Sequence, residues 1–126
     1  MKITKFEDIE SWKKARIFTN KIYEVVAKSR LKTDFGLKDQ IQRASVSIMN
    51  NIAEGYDSGS KKSFINFLNY SYRSASEVQS LLYVLLDQKY IDNSKFDELY
   101  QSVSEIKKIL GGFIKYLNSP SKLSNN

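Results

Sequence analysis

The sequence predicts an all-α protein, an antiparallel up-down-up-down four-helix bundle. Three observations point there. Four long segments repeat apolar residues at three- and four-residue steps, the period of a helix with one buried face. Short turn signals separate them, and short connections make neighbouring helices antiparallel. No segment alternates apolar and polar residues as a half-buried strand does. With 126 residues, the chain fits one domain. Such a length buries roughly two-thirds of its unfolded surface, enough for a core without covalent staples.

The first helix is expected over Glu7 to Ser29, with Ile9, Trp12, Ala15, Thr19, Ile22 and Val26 on its stripe. The second spans Leu37 to Tyr56, with Leu37, Ile41, Ala44, Ile48 and Ile52. "DSGS" ends it, and Ser60 is placed to cap the third. The third runs from Lys61 to Tyr90 through Phe64, Leu68, Ser71, Ala75, Val78, Leu82 and Leu85. The fourth opens at "NSKFDE", where Asn93 or Ser94 caps it and Asp97 and Glu98 fall in the positive first turn. Its stripe, Phe96, Leu99, Val103, Ile106, Leu110, Phe113 and Leu117, is a heptad seam. Gly111 and Gly112 interrupt that helix and signal close helix–helix approach or a local bend. The bundle is expected over residues 1–117, with residues 118–126, beyond the last periodic position, as a flexible tail.

Composition excludes several chemistries. The chain has no cysteine and no histidine. Disulfides, thiolate metal sites, and the commonest general base and metal ligand are therefore absent. Di-metal bundles use a Glu-x-x-His pattern that cannot occur here. No Walker or dinucleotide motif is present. The chain is expected to have no cofactor and to be no enzyme. The N-terminus is mixed and charged, without the apolar core of a signal peptide, and no apolar run reaches membrane-spanning length. The cytoplasm is the expected compartment, with no membrane partner.

The formal charge of +6 is uneven: Met1 to Lys32 holds nine Lys or Arg against four acids, and the rest holds eleven against ten. Helical projection collects Lys13, Lys14, Lys21 and Lys28 opposite the apolar face of the first helix, diluted by Glu10 and Glu24. With Lys61 and Lys62 they form the candidate nucleic-acid contacts, a track for phosphates. The alternative is an ordinary solvated face with i,i+4 pairs. A second apolar row on helix two, Val46, Met49, Ala53 and Tyr56, points away from the core stripe. Such a row suits a subunit interface. Between them lies a polar flank with Gln40, Arg43, Ser47, Asn51 and Glu54, and the third helix offers Tyr70, Ser74 and Glu77. Arg43, Ser47, Asn51, Glu54 and Glu77 are expected to form a structural polar seam, with Arg43 pairing to Glu54 or Glu77. Such a seam fixes register more than it adds stability.

The stretch "QIQRASVSIMNNIAEGYDSGSKKSFINFL", followed by "SASEVQSLLYVLL", resembles the bacterial four-helix-bundle proteins encoded in 23S rRNA intervening sequences, also labelled S23 ribosomal proteins. Ser47, Ile48, Asn51, Ile52, Ala53, Glu54 and Gly55 match the signature Ser-Ile-Pro-x-Asn-Ile-Ala-Glu-Gly. Phe6, Trp12 and Ala15 in the "FEDIESWKKA" opening, and Arg43 and Glu77, fall on family-typical positions. The likeness covers residues 6–117. Met49 replaces the usual proline, so a straighter helix is expected there. Arg73 stands where glycine often precedes Ser74, which argues against a close backbone approach at that point. The resemblance implies a bacterial cytoplasmic bundle assembled as a ring-like homopentamer. It also implies kinship with the accessory variability protein of diversity-generating retroelements, a basic barrel that binds nucleic acid and a reverse transcriptase. The function expected is a non-enzymatic, homo-oligomeric module that binds nucleic acid, RNA foremost, by charge and shape. The rival is a scaffold that docks an acidic partner protein.

Overall fold

The computed structural model describes residues 2–120. It contains four helices: α1 (Glu10–Lys28), α2 (Phe35–Tyr56), α3 (Lys61–Asp87) and α4 (Asn93–Asn118). Short 3₁₀ turns at Phe6–Asp8 and Arg30–Thr33 precede α1 and α2. No strand occurs among the described residues. Each helix packs on the next in sequence, and α1 closes the bundle against α4. The α2–α3 contact is the most extensive and the α1–α4 contact the least.

The apolar stripes fill the core. Ile22, Ile41, Ile48, Ile52, Leu68, Leu82, Leu85, Leu99 and Leu110 are fully buried. Phe18 is buried as well, although it stands one position off the expected α1 stripe. Trp12, Leu37, Phe64, Phe96, Phe113 and Leu117 are half-buried along the core's margin, and Trp12 meets Phe6 edge to face at 5.3 Å. Burial of this kind is the main stabilising term, at about 25 cal/mol per Å² of apolar surface.

Helix boundaries follow capping chemistry. The Ser60 side chain accepts from the backbone N–H of Ser63 at 3.1 Å, as expected. At α4 the cap is Asp92, whose carboxylate accepts from Lys95 N at 2.8 Å, rather than Asn93 or Ser94. Asp92 is the residue already extended, while Asn93 is helical. Asp97 and Glu98 consequently lie beyond the first turn. The α1 helix starts at Glu10, later than expected, because Phe6–Asp8 forms its own 3₁₀ turn with the Asp8 carboxylate accepting from Thr4 N at 3.0 Å. The α3 helix ends at Asp87, not Tyr90. There Lys89 takes φ 61°, and the N–H groups of Lys89 and Tyr90 bond back to Leu86 O and Leu85 O. This is a Schellman stop with lysine in the position that favours glycine.

The α2 helix runs unbroken through Met49, as the lack of proline implies. Gly111 and Gly112 do not mark a close approach. A Cβ on Gly112 would meet nothing within 4 Å, and one on Gly111 would reach only a Tyr72 ring carbon at 4.0 Å. The α4 helix continues to Asn118, and residues 121–126 of the expected tail lie outside the described residues.

Candidate functional site

The stretch Ser47 to Tyr56 lies on α2 where that helix meets α3. Its polar side chains separate into two groups. Ser47 Oγ and Ser74 Oγ share a hydrogen bond of 2.8 Å across the two helices. Asn51 Nδ2 donates to Ser47 O and Ser47 Oγ, both at 2.9 Å. Just inside this cluster, Ser71 Oγ donates to Ile48 O at 2.7 Å. The α2–α3 seam is therefore held by small hydroxyls and one amide, groups that allow close backbone approach while satisfying buried polar atoms.

The charged members of the expected seam are elsewhere. Arg43 Nε donates to Asp39 Oδ2 at 2.8 Å, one turn back on its own helix, and its side chain is 79% exposed. Glu54 and Glu77 are exposed and enter no ion pair among the described residues. The expected pairing of Arg43 with Glu54 or Glu77 is thus corrected. Asp39 lies four residues away on the same helix, within reach at little cost in side-chain ordering. Arg43, Asn50, Asn51 and Glu54 instead line a shallow polar groove with Tyr23 of α1.

The basic residues are also divided. Lys14 Nζ lies 2.7 Å from Glu105 of α4 and 3.8 Å from Glu10. The Glu105 carboxylate, as hydrogen-bond acceptor, raises the lysine's pKa, and the lysine lowers that of Glu105. Lys21 Nζ is 3.4 Å from Glu98, which Lys95 also contacts at 3.0 Å, and these hydrogen bonds, that to Lys95 foremost, lower the Glu98 pKa. Lys28 pairs with Glu24 at 3.8 Å. Three of the six candidate lysines therefore already face carboxylates. Lys14 and Lys21 are half-buried along the α1–α4 crevice rather than standing on the outermost face. Lys13, Lys61 and Lys62 are exposed and have no ion pair among the described residues.

The second apolar row of α2 is partly covered by the chain itself. Met49 and Tyr56 pack against the core. Tyr56 meets Phe64 edge to face at 5.9 Å, and its hydroxyl donates to Ile3 O at 3.4 Å. The 3₁₀ turn at Phe6–Asp8 packs on α2 as well. Val46 and Ala53 are half-buried. Periodicity could not show that an N-terminal segment folds back over this row.

The family model described as "23S rRNA-intervening sequence protein" matches residues 7–112. The chain belongs to the 23S rRNA-intervening sequence protein family. A crystal structure of a protein of unknown function from the S23 ribosomal protein family of Bacteroides thetaiotaomicron superposes with a TM-score of 0.77 at 28% identity. The likeness covers 83% of this chain and 95% of that one. No curated protein matches.

In this intervening-sequence protein, the resemblance-bearing stretch acquires physical reasons. Gly55 is buried against α3, and a Cβ there would stand 2.6 Å from Phe67 Cβ and 3.0 Å from a Phe64 ring carbon. Only glycine fits that crossing. Ser47 and Asn51 are joined at the α2–α3 seam, while Glu54 faces solvent. Sequence reasoning missed Gln79, which is buried and donates to Ser104 Oγ of α4 at 2.9 Å. Its position was readable, four residues after Ala75 and three before Leu82 on the α3 stripe. Among the described residues there is no group of three or more acidic side chains that could hold a metal ion. No described helix is long and apolar enough to cross a membrane.

Proposed function

We propose that this intervening-sequence protein is a non-enzymatic, cytoplasmic homo-oligomer that binds nucleic acid, RNA foremost, through charge and shape. The observation that carries the reading is the placement of Lys61 and Lys62. Both are exposed in the first turn of α3, with no acid in that turn and no ion pair among the described residues. A helix N-terminus is already the positive end of the backbone dipole, so two lysines there oppose helix stability. Their charge enters no ion pair among the described residues, and a polyanion is the ligand that such a concentration of positive charge suits. Lys13 lies toward the same end of the antiparallel bundle. Lys14, Lys21 and Lys28, paired with carboxylates, contribute less.

Assembly would strengthen such binding, because repetition of a small basic surface around a ring multiplies a weak interaction. The exposed Tyr23 of α1 leaves apolar surface beside Val46 of α2. The family resemblance makes five chains the assembly to test for.

The test titrates the protein with structured RNA, single-stranded DNA and duplex DNA at low and physiological salt. Affinity is expected to fall steeply with salt and to vary little with base sequence. Lys61→Glu with Lys62→Glu should reduce the salt slope by about 2, since each phosphate contact contributes roughly 0.9. Absence of binding to all three at low salt would assign the basic end to an acidic protein partner instead.

A further inference from the structure

A groove of about 450 Å³ runs along the α3–α4 face. Tyr72 and Tyr100 form part of its walls, and Gly111 and Gly112 expose bare backbone. Lys107 and Lys108 stand beside them, and none of the lining residues is acidic. This is the reverse of the α1–α4 crevice, where Lys14 is matched by Glu105. Lys107 Nζ donates only to the neutral Gln79 Oε1, at 3.1 Å, and lies 5.0 Å from the centre of the Tyr72 ring. It enters no ion pair among the described residues.

The aromatic lining continues toward the start of α4. Tyr100 stacks on Phe96 at 5.4 Å, and Tyr83 contacts both rings. Tyr83 is 51% exposed and Tyr72 36%. The two glycines weaken α4 by roughly 1 kcal/mol each relative to alanine, with no close helix contact to explain them. Bare helical backbone does allow a flat ligand to approach closely.

We infer that this groove receives unpaired bases of a single-stranded nucleic acid, stacked beside Tyr72 over the Gly111–Gly112 backbone, with Lys107 and Lys108 on the flanking phosphates. The inference rests on the nucleic-acid reading and adds to it a second surface, on the α3–α4 face, with a ligand class of its own. Rings beside lysines are the combination that binds single strands without reading sequence. A duplex keeps its bases stacked inside and gains nothing from such rings.

Fluorescence anisotropy with a labelled single-stranded oligonucleotide, an abasic strand of equal length and a duplex tests this. Gly112→Leu fills the glycine floor and raises helix propensity, so circular dichroism should show helix content retained. Gly112→Leu and Tyr72→Ala should each weaken single-strand binding by about 5- to 150-fold, the range for loss of one base stack. Duplex binding should be unchanged, Tyr72→Phe should bind like wild type, and the abasic strand should bind more weakly than the base-bearing one. If wild type binds nucleic acid but both groove variants hold the single strand as tightly, the inference falls and the nucleic-acid reading stands. Equal binding of the abasic strand would also overturn it. If the variants lose a polyglutamate ligand and keep the oligonucleotide, the groove belongs to an acidic peptide. If wild type binds no nucleic acid, both readings fall together.

Discussion

At the scale of single residues, the same Gly→Ala change carries opposite signs at two positions, and at a third a glycine is the better residue. Gly55 is held against Phe67 Cβ, so Gly55→Ala must move the α3 backbone. Overpacking of this kind costs about 1–3 kcal/mol, and the gain in helix propensity offsets roughly 1. A net loss of up to about 2 kcal/mol is expected in urea denaturation. Gly112 has open space around it, so Gly112→Ala should stabilise by about 1 kcal/mol in the same measurement. Lys89 occupies the left-handed region at the end of α3. Lys89→Gly should therefore stabilise by about 1 kcal/mol despite adding a glycine. A midpoint that falls for Gly112→Ala, or fails to rise for Lys89→Gly, would contradict these assignments.

At the scale of helices, caps and seams decide behaviour. Asp92→Ala removes the side chain that closes the start of α4 and should cost about 1 kcal/mol. The α1–α4 seam is ionic. Glu105 and Glu98 have lowered pKa values because Lys14, and Lys95 with Lys21, donate to them. A carboxylate with a depressed folded pKa stabilises the fold above its unfolded value, and that contribution disappears as pH falls through the folded value. Lys14, with its pKa raised by Glu105, contributes below its ordinary value and loses that as pH climbs through the raised one. Thermal melts should therefore show the seam weakening at acid pH, below about 4, and again in strong alkali. Glu105→Gln should flatten the acid limb.

The stripes of all four helices were legible because burial imposes the 3.6-residue period directly on the sequence. The cap of α4 was one residue off because Asp92, Asn93 and Ser94 are all capping types and only the backbone conformation chooses among them. Within the α2 flank, helical projection groups Ser47 and Asn51 on one side, and the structure joins them to Ser74 of α3. The partner of Arg43 was not legible. A long flexible side chain reaches Asp39 as readily as a residue across the seam, and projection says nothing of which wins. The covering of Met49 and Tyr56 by the N-terminal segment depends on a non-periodic stretch, where no pattern reports the path of the chain.

For the whole molecule, the proposed assembly gives the clearest expectation. Light scattering after gel filtration should report a mass several times that of one chain. Met49 packs on the core, so charge placed there would disturb the fold as well. Val46, half-buried and beside the exposed Tyr23, is the better probe. Val46→Glu should shift the particle toward smaller species while helix content is kept. A monomeric wild type at micromolar concentration would exclude self-assembly.

The uneven contacts around the bundle also set an order of events in time. The α2–α3 pair has the most extensive packing and is joined by the four residues Asp57 to Ser60. Nearby segments meet early, because closing a short loop loses little entropy. The α1–α4 seam joins the first helix to the last and has the sparsest contact, so the central hairpin is expected to nucleate and the outer seam to close late. In native-state hydrogen exchange, amides of α1 should open at lower free energy than those of α2 and α3. Mutational φ-values near Ile48 and Ser71 should be high, and those near Lys14 and Glu105 close to zero. The bundle would then breathe at the boundary between its first and last helices, while its sequence centre stays shut until global unfolding.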